Sequence, residues 1–85
     1  GYELSLLIKP ASLKEVIEKS VRLVQLQADR MDIRVVVAET KLWVLGDSQR
    51  LVQVLVNLIS NALKYSLPSS VVNVTVGLKA DGTVV

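Results

Sequence analysis

The 85-residue chain contains no cysteine and no histidine. The first absence excludes a disulfide framework, a thiolate metal site and a cysteine nucleophile together. The second removes imidazole as a general base, the commonest zinc ligands and any phosphohistidine acceptor within these residues. No apolar run approaches the roughly 18 residues that a membrane-spanning helix needs, and the N-terminus lacks a charged stretch followed by an apolar one, so no membrane contact is expected of this segment. Neither sign of charge dominates. Ten basic and eight acidic residues give a net charge of +2, scattered along the chain without a basic face flanked by aromatics. Nucleic acid is not an indicated partner.

Apolar residues, by contrast, make up 51% of the chain, with a mean hydropathy of +0.45. A single domain of this length buries only about 60 to 65% of the surface its unfolded chain exposes. Stability is therefore expected to be marginal, and the surplus apolar surface is expected to be covered by further protein. There are no internal repeats and no low-complexity linker.

Tyr2 to Ile8 carry a β-type apolar pattern that Lys9-Pro10 closes, which predicts a first edge strand. Ser12 with Glu15 forms a capping box, and Leu13, Val16, Ile17, Val24, Ala28 and Met31 recur at helical spacing, predicting a helix over 12–30. Ile33, Val35 and Val37 alternate with Arg34 and Val36, and Leu42 to Leu45 form a second apolar run beyond Glu39-Thr40-Lys41. Two strands paired with each other are the expectation. Gly46 ends the second, and Asp47 is placed to cap a helix that continues to about Ser66. Leu67-Pro68-Ser69-Ser70 breaks that helix. Val72, Val74, Val76 and Leu78 then alternate with polar or small residues as a strand buried on one face, and Asp81-Gly82 announces a hairpin. Only Thr83, Val84 and Val85 follow, too few for the returning strand. The sequence reads as stopping in mid-hairpin, and an unpaired strand edge predicts self-association. Trp43 and Tyr2 lie in no motif and are assigned to packing.

The segment from Asp47 to Ser66 is the most informative. At about 100° per residue it gathers Arg50, Gln53, Asn57, Asn61 and Lys64 into one narrow polar stripe, while Leu51, Leu55, Leu58, Ile59 and Ala62 face elsewhere. A solvated stripe would ordinarily be Lys and Glu. Asn in a helix interior competes for backbone hydrogen bonds and weakens the helix, so a purpose other than helix formation is indicated.

This segment resembles the N-box of sensor histidine kinases, the helix of the Bergerat fold shared with gyrase-type and chaperone-type ATPases of the GHKL superfamily. The likeness runs from Asp47 through Arg50-Leu51, Gln53-Val54-Leu55 and Asn57-Leu58-Ile59 to Asn61-Ala62 and Lys64-Tyr65-Ser66. It implies an α+β fold: a two-layer α/β sandwich, partial Bergerat, in the order β-α-β-β-α-β-(β), with the helices over one face of a mixed sheet. It also implies that residues 1–85 are the first half of a histidine-kinase-type ATP-binding domain from two-component signalling. The Asp-x-Gly-x-Gly adenine-reading loop and the glycine-rich boxes of the family are absent from this sequence, and the fragment is expected to be inactive alone.

By the same resemblance, Asn61 matches the magnesium-coordinating Asn, and Asn57, one turn earlier, faces the phosphates and ordered water. Lys64 is aimed at the phosphates, and Tyr65 lies near the sugar and base. No catalytic residue is implied within the chain. Arg50 and Gln53 are assigned to structure, and Asp47 to capping. Gyrase-type and chaperone-type enzymes carry at the Asn57 position a Glu that activates water. A carboxamide cannot accept that proton, so Asn57 argues for phosphoryl transfer to a protein side chain over hydrolysis.

The implied cofactors are Mg2+ and ATP in the intact domain, with none expected to bind the fragment. The implied partners are a phosphoacceptor His domain and a response regulator. The implied setting is cytoplasmic, including the cytoplasmic part of a membrane-bound sensor. The rival reading is a non-enzymatic kinase-like dimerisation or scaffold module.

Overall fold

The computed structural model describes residues 9–75, in the order β1 (Lys9–Ser12), α1 (Leu13–Arg30), β2 (Arg34–Val37), β3 (Trp43–Gly46), α2 (Ser48–Tyr65) and β4 (Val71–Val74). The order agrees with the α+β expectation. The strand expected over Tyr2–Ile8, the positions Val76 and Leu78, and the Asp81-Gly82 turn lie outside the described residues.

Both helices begin where their caps dictate. The Ser12 hydroxyl accepts from the Glu15 backbone N–H at 3.4 Å, and one oxygen of Asp47 accepts from the N–H groups of Gln49 (3.1 Å) and Arg50 (3.3 Å). Helix α1 ends in a Schellman turn. Ile33 N–H bonds the Ala28 carbonyl at 2.9 Å and Asp32 N–H bonds that of Asp29 at 3.1 Å, with Asp32 in the left-handed region at φ 53°. Ser69 is also left-handed, at φ 65°, and its hydroxyl donates to Asp32 Oδ2 at 2.9 Å. This tie brings together the starts of β2 and β4.

The strand pairing corrects two expectations. Lys9 and Pro10 do not close a strand; they lie within β1, Pro10 standing opposite Leu45. Among the described residues β1 has a strand neighbour on one side only, and an edge strand can carry a residue without an N–H. Nor do β2 and β3 pair with each other. β3 runs antiparallel to β1, Ser12 opposite Trp43, and β2 runs parallel to β4, Arg34 opposite Val71. The reason lies in the connection: Thr40 Oγ1 accepts from Leu42 N–H at 3.2 Å, and the Leu42 carbonyl accepts the first N–H of α1, from Leu13, at 3.1 Å. Leu42 is thereby anchored at the start of α1 and β3 is directed to β1.

Helices α1 and α2 lie side by side and run the same way, as the contacts Ser20 with Val52 and Gln27 with Ser60 require. Ile17, Val24 and Ala28 of α1, Ile59 and Leu63 of α2, Val74 of β4 and Ile33, just before β2, form the core, supplemented by Val35, Val56 and Val72. Among the described residues Ser20 is the buried polar side chain; its hydroxyl donates to the Val16 carbonyl at 2.7 Å and lies 3.4 Å from that of Val52. In β4, buried Val74 and half-buried Val72 alternate with exposed Val71 and Asn73, as the sequence pattern predicts.

Candidate functional site

The N-cap at Asp47 and the burial of Val52, Ile59 and Leu63 set which side of α2 faces outward. Arg50, Gln53, Asn57, Asn61 and Lys64 are all exposed on that side, within an arc of about 80° at about 100° per residue. The structure thus brings the two amides and the ammonium group onto one accessible face. Among the described residues neither the Asn57 nor the Asn61 side chain makes a hydrogen bond. Lys64 Nζ lies 5.6 Å from the ring centroid of Tyr65, a cation–π contact, and Tyr65 is 80% exposed rather than packed in the core.

Beside the stripe lies a feature that sequence reasoning missed. Val54, Leu58, Ala62 and Tyr65 occupy the next arc of about 80°, and all four are exposed, Leu58 at 60%. The apolar side of α2 is thus only partly buried: Leu51 and Leu55 are half covered, while Leu58 and Ala62 are open. The signal available was the width of the apolar arc, greater than one helical neighbour could cover. Amides flanked by accessible apolar and aromatic side chains make the lining typical of small-molecule sites. Trp43, assigned to packing, is also 65% exposed.

Here the lining is a convex wall, not an enclosure. A cleft of about 250 Å³ between the β1–β3 sheet and the first turns of both helices is bordered by Pro10, Glu15, Lys19, Trp43 and Ser48, and none of the α2 amides lines it. Among the described residues no cluster of acidic side chains could hold a metal ion unaided. Neutral amide oxygens without a carboxylate cage suit an ion that keeps its waters and arrives on phosphates, as magnesium does.

No protein-family model matches the chain. A sensor-like histidine kinase of Porphyra purpurea, itself uncharacterized, is 30% identical over 67 residues, which are 76% of this chain and 10% of the relative. Among solved structures, the mycobacterial sensor histidine kinase MprB is 32% identical with a TM-score of 0.77, the match covering 86% of this chain and 48% of that one. The cytoplasmic segment of histidine kinase QseC is 26% identical with a TM-score of 0.74 and coverages of 82% and 48%. The catalytic domain of histidine kinase ThkA is alike in fold, with a TM-score of 0.75 at 24% identity, covering 87% and 52%. The chain spans about half the length of the solved kinases it matches and a tenth of the curated relative. No helix among the described residues is long and apolar enough to cross a membrane. In sequence and in fold, the chain resembles part of the sensor histidine kinases of the GHKL superfamily.

Proposed function

We propose that α2 is one wall of a magnesium–ATP site in the catalytic domain of a two-component sensor histidine kinase. The observation that carries this reading is the accessibility of Asn57, Asn61 and Lys64 on one face, with both carboxamides unengaged among the described residues. Asn61 would hold the magnesium ion through its carboxamide oxygen. Magnesium held there would supply charge neutralisation to the phosphates. Asn57 orients phosphate oxygens and water, and it cannot act as a base toward that water because a carboxamide takes up no proton at neutral pH.

Lys64 supplies a point charge on a flexible stem, a workable phosphate ligand. Its resting contact with Tyr65 is an exposed cation–π pair worth about 0.5 to 1 kcal/mol, weak enough to yield when phosphate arrives. Val54, Leu58 and Tyr65 offer apolar surface to the sugar and base or to the protein that closes over them. On this reading the γ-phosphoryl group passes to a histidine outside the chain, which holds none, and a response regulator receives it next. The setting is cytoplasmic, as that chemistry requires.

Titration of the full-length gene product with a fluorescent ATP analogue tests the site. Affinity that needs magnesium and falls at least tenfold in Asn61→Ala supports it, and equal affinity for the two proteins removes it. The 85-residue chain alone, lacking an adenine-reading loop, should bind the analogue weakly or not at all. The same gene separates this reading from the scaffold module, since a kinase should carry Asp-x-Gly-x-Gly downstream of Val85.

A further inference from the structure

Gln27 of α1 and Ser60 of α2 are joined twice. Ser60 Oγ donates to Gln27 Oε1 at 2.9 Å, and Gln27 Nε2 donates to the Ser60 carbonyl at 3.3 Å. Both residues are half-buried. Around them the two helices meet through Val24, Ala28, Val56, Ile59 and Leu63. Apolar contact is non-directional, so it resists separation of the helices better than it resists rotation of one about its own axis. A reciprocal hydrogen-bonded pair does resist rotation, because its strength falls steeply with distance and angle.

The magnitude of such a rotation decides whether the pair matters. Side-chain tips lie about 5 to 6 Å from a helix axis, so turning α2 by about 20° would carry the tips of Asn57 and Asn61 some 2 Å sideways. Magnesium ligands sit at about 2.0 to 2.1 Å in near-ideal geometry, and metal sites tolerate about 0.2 Å. Ser60 immediately precedes Asn61 and lies between Asn57 and Lys64, so it grips α2 where its orientation matters to the ligand.

We infer that Gln27 is a positioning residue: through Ser60 it holds α2 at the rotation that aims Asn57 and Asn61 at metal-bound phosphate. This rests on the functional reading above. It assigns a role in ligand geometry to a residue of α1 outside the amide stripe.

The test uses Gln27→Met, which keeps length and packing but deletes both bonds, and Gln27→Glu, which keeps the acceptor for Ser60 Oγ. In the full-length gene product, Gln27→Met should weaken ATP binding about tenfold with magnesium present and by clearly less without it. Gln27→Glu should recover part of the loss, and Gln27→Met should cost less in an Asn61→Ala background than in the parent protein. In the 85-residue chain without nucleotide, Gln27→Met should shift the side-chain amide resonances of Asn57 and Asn61.

A role confined to stability predicts equal losses with and without magnesium; that result, or affinity within twofold of the parent protein, overturns the inference. If the parent protein binds no magnesium–ATP, the functional reading falls separately. The Asn57 and Asn61 resonances then judge the lock alone, which fails if Gln27→Met leaves them unmoved.

Discussion

Asn57 and Asn61 occupy exposed mid-helix positions where alanine would serve the helix better. Replacing either by Ala should therefore raise the stability of the chain, by about 0.5 kcal/mol each from helix propensity alone, seen as a higher urea midpoint with an unchanged slope. Loss of stability would show that these amides have structural partners. Ser20 gives the opposite case. Its hydroxyl is satisfied in a buried place, so Ser20→Ala should cost about 1 kcal/mol, and Ser20→Leu should cost more by overpacking. The amide stripe was legible in the sequence because it repeats at the helical period. The Gln27–Ser60 pair was not, since its partners are 33 residues apart and nothing in either neighbourhood marks them.

At the scale of elements, capping explains why the two helices matched expectation: Ser12 and Asp47 both satisfy N–H groups of the first turn. Pairing of β2 and β3 failed as an expectation because proximity in sequence was the only guide to it. The determinants are non-local, namely Leu42 anchored on Leu13 N–H and the Ser69 hydroxyl on Asp32. Asp32 should accordingly be sensitive. Asp32→Val places a β-branched residue at φ 53° and removes the bond to Ser69, for a loss of roughly 2 kcal/mol by thermal or urea unfolding. A loss below about 0.5 kcal/mol, the scatter of ordinary surface substitutions, would show that the junction does not hold β2 to β4.

Over the whole molecule, the surplus of apolar residues read from composition appears as exposed side chains: Leu45 at 77% and Trp43 on β3, with Leu23 and Leu26 on α1 and Leu58 on α2. Each sheet has two strands among the described residues, and an edge without a strand neighbour is a template for another chain. We expect the chain to self-associate, its mass by light scattering rising with concentration, and Leu45→Lys to reduce that association. A monomer at high concentration would contradict the open-edge argument.

The central claim, that the α2 amides hold metal-bound phosphate, is tested most directly with ATP and trace Mn2+ standing in for magnesium on the full-length gene product. Paramagnetic broadening should erase the side-chain amide resonance of Asn61 first and Asn57 next, while that of Gln25, hydrogen-bonded to Asp29 at 2.8 Å on α1, persists. Broadening that spares Asn61, or falls equally on all three, would contradict it.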